Sequence, residues 1–222
     1  MNEIQNSFNN VQKRIQKALS DCHRSSDNVQ LLAVSKTRTA NEITQLFSLG
    51  QTAFGENYLQ EALEKIKQLA DKAIEWHFIG QIQSNKTRLI AENFSVVHSL
   101  YQFKQAQRLN NQRPSALPPL KVYIQVNIEK ETTKAGVFIE DLNALALKIE
   151  QLPYLKLMGL MAIPAPTDDF ERQKKQFQQL KKCLGYTQVK GLSMGMSNDL
   201  EAAICEGSTI VRVGTALFGK RV

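Results

Sequence analysis

The chain has 222 residues, 42% of them hydrophobic, and a formal net charge of +7. This length can bury a sizeable core, either as one large α/β domain or as two small ones. Lysines and arginines are scattered among acidic residues and form no basic patch interleaved with aromatic side chains, which argues against a nucleic-acid partner. The apolar stretches are far too short to span a bilayer, so we expect a soluble cytoplasmic protein without a membrane partner.

The cysteines are few and widely spaced. Cys22, Cys183 and Cys205 are an odd number, and none has a histidine nearby at metal-ligand spacing. This usage is typical of a reducing compartment. We therefore expect neither a disulfide framework nor a bound metal.

The chain opens on a segment that predicts an amphipathic helix, because apolar residues recur every three or four positions. The segment is otherwise polar, so it does not read as a secretory signal. We expect this helix to pack on the body of the protein. The apolar positions are Ile4, Phe8, Val11, Ile15 and Leu19.

Beyond this helix, short β-rich runs alternate with segments of helical spacing. Parallel strands need a crossover between them, so the alternation favours a parallel sheet. Eight such units predict a (β/α)8 barrel of the TIM type, although an open doubly wound sheet would alternate in the same way. No linker is evident, so we expect residues 1–222 to form a single domain. The candidate strands are Leu31–Ser35, Ala53–Phe54, Trp76–Ile79, Val96–Leu100, Val122–Val126, Leu155–Ile163, Gly191–Met194 and Ile210–Val213.

Lys36 closes the first of these runs and is the main candidate for chemistry. An amine at the end of a buried strand loses hydration, which lowers its pKa and makes more of it neutral and nucleophilic. Schiff-base formation needs such an amine. The alternative is a strand-end lysine that reaches solvent, and for a lone lysine this is the commoner case.

The loops after the last two strands of such a barrel often bind phosphate. In the first loop, Ser197 precedes Asn198 and Glu201, which have capping-box spacing. In the second, Gly214 and Thr215 stand at the start of a short helix, where donors suited to a phosphate dianion are expected. Taken alone, either loop could be an ordinary capped turn. A lysine and a phosphate site at one barrel mouth together suit pyridoxal 5′-phosphate.

Seven segments, in chain order over nearly the whole sequence, carry a resemblance to a known family. They are Ala33–Thr37, Phe54–Tyr58, Trp76–Gly80, Gln83–Lys86, Gly159–Met161, Ser193–Ser197 and Val211–Gly219. Together they resemble the pyridoxal 5′-phosphate homeostasis protein family. The resemblance implies a single barrel like the N-terminal domain of alanine racemase, which holds the cofactor as an internal aldimine and has no established turnover.

The resemblance also implies roles for individual residues. Lys36 would be the Schiff-base lysine, and Asn57 would line the edge of the cofactor ring. Arg212 would face the pyridine nitrogen, and a guanidinium can only donate there, which keeps that nitrogen unprotonated and makes the ring a weaker electron sink. The phosphate would be held by Ser197, Gly214 and Thr215, assisted by Ser193.

The sequence leaves two possible roles open for His77 and two for Lys134. His77 is either a proton shuttle or ring contact, or more commonly a satisfied packing residue. Lys134 either helps to gather or release cofactor, or is a solvated loop lysine.

Two functions of different class follow from these features. The first is a binding protein, expected to be a monomer, that buffers pyridoxal phosphate or delivers it to apo-enzymes and affects amino-acid metabolism indirectly. The second is an amino-acid racemase or weak transaminase. Racemisation needs acid–base groups on both faces of the substrate, and we find no tyrosine marked as a second base and expect no further domain after Val222. The binding function is therefore preferred, and a barrel for a sugar phosphate remains a third alternative.

Overall fold

The computed structural model describes residues 3–129 and 134–219. Within these residues eight β-strands alternate with α-helices, and a short 3-10 helix, Leu184–Tyr186, follows α7. The strands are β1 Gln30–Val34, β2 Ala53–Glu56, β3 Glu75–Phe78, β4 Val96–Leu100, β5 Leu120–Gln125, β6 Leu155–Met161, β7 Gly191–Ser193 and β8 Ile210–Val213. The helices are α1 Glu3–Asp21, α2 Ala40–Ser48, α3 Leu59–Gln68, α4 Thr87–Asn93, α5 Phe103–Gln112, α6 Ile139–Glu150, α7 Phe170–Cys183, α8 Leu200–Cys205 and α9 Thr215–Phe218.

The strands form a closed parallel barrel in the order β1 to β8. Closure is made by β8, which pairs with β1 so that Leu32 lies opposite Arg212 and Ala33 opposite Val213. An open doubly wound sheet would leave its outer strands as edges. The predicted barrel is therefore confirmed, and each predicted strand is present with ends that differ by no more than two residues.

The strands are buried on both faces, because helices cover the outside and side chains fill the inside. One large apolar cluster joins the strands to the helices around them. A smaller separate cluster combines Leu32, Ala53, Val96, Tyr123, Met161 and Ile210. Polar side chains are buried near it, and a hydrogen bond between His98 on β4 and Ser193 on β7 joins two strands that are not neighbours. The barrel interior is therefore partly polar.

Helix α1 confirms the predicted amphipathic helix. Its buried face carries Val11, Ile15, Ala18 and Leu19. This face packs against α8, α9 and α2, so α1 covers the side of the barrel where β8 meets β1. Burial of such an apolar stripe is the main source of stability for a surface helix.

The packing of α1 on α8 shows that the expectation of no disulfide is wrong. Cys22, just after α1, and Cys205, the last residue of α8, form a disulfide with Cα atoms 5.1 Å apart. Cys183 is buried and has a free thiol. The bridged pair is 183 residues apart in sequence, and only closure of the barrel brings α1 onto α8. The cysteines therefore no longer support a reducing compartment.

Candidate functional site

The predicted Schiff-base lysine and the two predicted phosphate turns follow three consecutive strands of the barrel. Lys36 follows β1, Ser197 lies between β7 and α8, and Gly214 and Thr215 follow β8. Because β8 pairs with both β7 and β1, the C-terminal ends of these strands are adjacent. The structure therefore places the amine and both predicted phosphate turns at one rim.

Direct contacts join the loop after β1 to the turn after β8. Arg38 Nη2 donates to Gly219 O at 2.6 Å. A Cβ atom added to Gly214 would lie 3.3 Å from Val34 O, so the turn after β8 passes close to the end of β1. Lys36 thus lies between two residues, Val34 and Arg38, that both touch the segment containing Gly214 and Thr215.

The two predicted phosphate turns also contact each other. Ser197 Oγ accepts a hydrogen bond from Ala216 N at 3.3 Å. Ala216 belongs to the first turn of α9, where backbone N–H groups have no acceptor inside the helix. The hydroxyl of Ser197 therefore lies beside the turn formed by Gly214 and Thr215, in a place rich in hydrogen-bond donors.

The capping box predicted after Ser197 is wrong. The N-cap of α8 is Asp199, and its side chain makes no capping bond to the helix. Glu201 instead forms an ion pair with Arg14 of α1, with Nε and Oε1 2.6 Å apart, because a guanidinium offers a carboxylate two charge-assisted hydrogen bonds. Arg14 Nη2 also donates to the carbonyl of Ser197 at 2.9 Å. The turn is therefore held by α1 and not by Asn198.

Arg212 lies on β8 with its guanidinium inside the barrel, and the residue is 5% exposed. Its Nη1 donates to Ser193 O at 2.6 Å and to Ser193 Oγ at 2.8 Å, and its Nη2 donates to Ala162 O at 3.0 Å. Burial lowers the pKa of Arg212 to about 10, against the opposing charge of Asp199. The group stays protonated at neutral pH and can only donate hydrogen bonds. Ser193 is fully buried beneath it, so the structure places Ser193 with Arg212 and not with the two turns.

Two buried histidines continue this polar interior. His98 Nδ1 lies 2.8 Å from Ser193 Oγ, and His98 Nε2 lies 2.8 Å from His77 Nδ1. His77 Nε2 lies 3.0 Å from Glu75 Oε2. His77 is therefore a satisfied core residue, as its packing interpretation holds. His98 was missed at the sequence level, although both histidines lie in the middle of buried strands, where a polar side chain needs a partner.

Asn57 follows β2, which pairs with β1 on the side opposite to β8. Its Oδ1 is buried and has no hydrogen-bond partner among the described residues. A Cβ atom on Gly80 would lie only 2.0 Å from Asn57 O, so only glycine allows the loops after β2 and β3 to meet there. An orphaned buried oxygen costs about 1–3 kcal/mol, and a ligand or water that donates a hydrogen bond to it would remove this cost.

A cavity of about 550 Å³ opens beside Asn57 at the same rim. Its wall includes Gln81, Tyr101, Gln125 and Lys134. Lys134 Nζ lies 2.6 Å from Glu129 Oε2, so this amine is paired in the structure and not simply solvated. The cavity is large enough for a cofactor-sized molecule.

What we call the buried ion cluster joins Glu56 and Lys65, both buried, to the half-buried Glu61 and lies behind the turn that carries Lys36. Lys65 Nζ is 2.8 Å from Glu56 Oε1 and 2.5 Å from Glu61 Oε1. Glu56 is fully buried, and burial raises the pKa of its carboxyl although the hydrogen bond from Lys65 opposes the shift. Since a buried carboxylate without a cation is strongly destabilising, the cluster depends on Lys65.

This buried ion cluster fixes both neighbours of Lys36. Lys65 Nζ donates to Ser35 O at 2.7 Å, and Thr37 N donates to Glu61 Oε1 at 2.6 Å. Thr37 has a φ of 64°, which is unfavourable for a β-branched residue and needs support from its surroundings. The backbone that carries Lys36 is therefore held rigidly on both sides, a feature that the sequence motifs did not reveal.

Two negative findings complete the description of residues 3–129 and 134–219. No helix among them is both long and apolar enough to cross a membrane. No three His, Cys, Asp or Glu side chains in this part of the chain are grouped so that they could hold a metal ion.

Comparisons with known proteins agree with this arrangement. The family model for alanine racemase, N-terminal domain, matches residues 8–222. The pyridoxal phosphate homeostasis protein of Pseudomonas aeruginosa is 52% identical over 223 residues, which cover 100% of this chain and 97% of the relative. That of Escherichia coli K12 is 46% identical over 229 residues, covering 100% and 98%. These relatives are named for homeostasis and not for an enzymatic reaction.

Solved structures give the same result. PipY of Synechococcus elongatus is 35% identical and covers 92% of this chain and 100% of its own, with a TM-score of 0.80 for the form with pyridoxal phosphate bound and 0.81 for the form without it. An alanine racemase of Clostridium difficile is only 17% identical, with a TM-score of 0.71 over 98% of this chain and 56% of the racemase, and shows the fold alone. The chain therefore belongs to the pyridoxal phosphate homeostasis protein family, whose barrel is that of the alanine racemase N-terminal domain.

Proposed function

We propose that this chain binds pyridoxal 5′-phosphate through Lys36 and buffers it or delivers it to apo-enzymes in the cytoplasm. The observation that carries the proposal is the convergence of Lys36, the two phosphate turns and Arg212 on β7, β8 and β1. The relative whose structure contains bound pyridoxal phosphate has the same barrel. We further propose that residues 1–222 act as one domain and as a monomer.

The residues at the rim fit the chemical groups of this cofactor. Ser197, Gly214 and Thr215 lie together where a phosphate dianion can receive several hydrogen bonds, and the adjacent Lys36 can reach an aldehyde on the same molecule. Asn57 offers a buried amide oxygen without a protein partner. The cavity beside it provides space at the ring's edge.

Lys36 and Arg212 have separate tasks in this proposal. The cofactor supplies an electrophilic aldehyde carbon and a ring that can withdraw electrons. Lys36 would hold the cofactor at that carbon, because a lysine amine can condense with an aldehyde and release water. Arg212, which stays protonated, would donate to the ring nitrogen and so keep a proton off it. This would lower the ring's capacity to stabilise a carbanion.

The role proposed for Ser193 differs from the phosphate contact that the resemblance implies. Its hydroxyl is bonded to Arg212 and His98, so we assign it to the support of Arg212 and leave the phosphate to Ser197, Gly214 and Thr215.

The covalent attachment is tested by borohydride reduction. The purified protein is expected to be yellow, and reduction followed by peptide mass spectrometry should place the adduct on Lys36. Lys36→Ala should lose the adduct, whereas Lys72→Ala, which changes a half-buried lysine paired with the exposed Asp71, should keep it. A Lys36→Ala protein that still carries a covalent adduct would contradict the assignment.

Delivery is tested separately from attachment. Loaded protein is mixed with an apo-enzyme, with and without a scavenger of free cofactor. Recovery of enzyme activity despite the scavenger would support direct transfer, and recovery only without it would support buffering. Formation of D-amino acid or keto acid by the rigorously purified protein would overturn the binding function in favour of an enzyme.

A further inference from the structure

A line of hydrogen bonds crosses the barrel interior and ends on Arg212. We call Glu75, His77, His98 and Ser193 the histidine chain. Its links are Glu75 Oε2 to His77 Nε2 at 3.0 Å, His77 Nδ1 to His98 Nε2 at 2.8 Å, and His98 Nδ1 to Ser193 Oγ at 2.8 Å. The last link is Arg212 Nη1 to Ser193 Oγ at 2.8 Å. Both histidines and Ser193 are buried, so bulk water reaches the chain only at its Glu75 end, where the side chain is part-exposed.

The two ends of the histidine chain fix the direction of every hydrogen bond in it. At one end Glu75 is an acceptor, because Lys121 Nζ lies 2.7 Å from its other oxygen and lowers its pKa together with the bond from His77. His77 must therefore donate from Nε2 and accept at Nδ1. His98 then donates from Nε2 and accepts at Nδ1, so the Ser193 hydroxyl donates to it.

At the other end this direction leaves Ser193 Oγ with lone pairs that face Arg212. The guanidinium uses both Nη1 protons on Ser193 and one Nη2 proton on Ala162 O. Its Nε–H and second Nη2–H are left over from the five donors of an arginine. The orientation of these two donors depends on the three bonds that anchor the group.

The surroundings keep both histidines neutral. Burial lowers the pKa of His77, opposed by Glu75, and burial together with the charges of His77 and Arg212 lowers the pKa of His98 well below its usual value. Tyr123 stacks on His98 with ring centroids 4.8 Å apart and fixes its plane. The charged groups around the chain are Glu75, Lys121, Arg212 and Asp199, and the first two lie at the opposite end of the chain from Arg212.

We propose that His77 and His98 are positioning residues that hold Ser193 as an acceptor for Arg212 and so aim the remaining guanidinium donors at the ring nitrogen of the bound cofactor. The inference rests on the proposed function, because that function places the ring nitrogen opposite Arg212. The histidines touch no cofactor atom in this account. A merely structural pair could lose these hydrogen bonds without any change in cofactor binding or absorbance.

The first test needs no cofactor. Long-range ¹H–¹⁵N NMR spectra of the apo-protein should show both buried histidines neutral and protonated on Nε2 at pH 7. Ser193→Ala removes the donor to His98 Nδ1, so that nitrogen alone should lose its hydrogen-bond shift. A His98 protonated on Nδ1, or charged, would overturn the proposal whether or not the cofactor binds.

The second test compares matched variants in cofactor binding. His98→Phe keeps the stacking on Tyr123 but removes both hydrogen bonds, and should weaken pyridoxal phosphate binding about tenfold and shift the absorbance of the bound cofactor. His98→Asn keeps an acceptor near the position of Nδ1 and should restore binding to within about threefold of the parent protein. Phe94→Leu, a buried change packed against Phe78, controls for lost stability and should bind normally.

The outcomes separate this inference from the proposed function. Normal binding and absorbance by His98→Phe, or equal loss in His98→Phe and Phe94→Leu, would overturn the positioning role. A parent protein without a Lys36 adduct would overturn the proposed function, while the NMR result would still decide the direction of the histidine chain.

Discussion

The buried ion cluster behind Lys36 gives a prediction whose size depends on pH. Lys65→Met removes the cation but keeps most of the alkyl length, and it leaves Glu56 fully buried without its partner. Removing one member of a buried pair costs about 3–5 kcal/mol. Glu56 can limit this cost by taking up a proton. From its ordinary pKa of 4.5, that proton costs about 3.4 kcal/mol at pH 7 and about 0.7 kcal/mol at pH 5.

The sign of the pH effect follows from the shift of Glu56. Burial already raises the pKa of this carboxyl in the folded protein, and loss of Lys65 raises it further. Protonation of the folded variant therefore increases as pH falls, and the variant recovers stability relative to the parent protein. We expect Lys65→Met to lower the free energy of unfolding by about 3 kcal/mol at pH 7 and by only about 1 kcal/mol at pH 5.

The assay is urea unfolding followed by the fluorescence of Trp76, the single tryptophan of the chain, which is buried. Lys72→Met is the control, because Lys72 pairs with the exposed Asp71 and its loss should cost less than about 0.5 kcal/mol at either pH. Adding Glu56→Gln to Lys65→Met should recover stability at pH 7 by removing the buried charge. A cost below about 1 kcal/mol at pH 7, or an equal cost at both pH values, would refute the reasoning.

Three further predictions concern other parts of the molecule. Burial lowers the pKa values of His77 and His98, so below about pH 6.5 the unfolded chain binds protons that the folded protein does not. As the pH falls, the free energy of unfolding should therefore decrease by up to about 1.4 kcal/mol per pH unit for each of these two histidines. His98→Phe should remove one histidine's share in urea titrations between pH 7.5 and 5.5. Reductant should lower the thermal midpoint of the parent protein but not of Cys22→Ser, because the bridge spans 183 residues and such a loop is worth roughly 2–5 kcal/mol. Gly80→Ala should displace Asn57 and weaken cofactor binding measured by absorbance titration, with normal binding contradicting the tight contact between these loops.

The sequence predicts the barrel well because its signal is local. Each strand is a short apolar run flanked by helical spacing, and eight such runs have few other ways to pack. The open-sheet alternative could be removed only by the pairing of Leu32 with Arg212 and Ala33 with Val213, a contact between distant parts of the chain. No periodicity records such a contact.

The site could be predicted where a motif marks a turn, and not where the chemistry comes from partners far away in sequence. Lys36, Ser197 and Thr215 stand in recognisable segments beside strand ends. Arg14 and Cys22, by contrast, look like ordinary helix residues until α1 is packed on α8. Their partners are found only in the folded barrel.

The sequence did not predict the buried polar groups, for a related reason. Glu56 and Lys65 are nine residues apart and could have been read as surface charges on a strand end and a helix. His98 stands among valine, serine and leucine in a run that reads as apolar core. Only the burial of these side chains requires that each has a partner.

The join between β8 and β1 has a consequence for synthesis on the ribosome. Lys36 emerges early, but the segments that contain Ser197 and Thr215 are made last, after roughly 10 to 35 s of further elongation at ordinary rates. Under the proposed function, a nascent chain would therefore carry the amine that attaches the cofactor long before it has the residues that bind the phosphate. A cofactor that contacts residues after both β1 and β8 would bind only the closed barrel. The supply of vitamin B6 would then favour the folding of newly made chains by mass action.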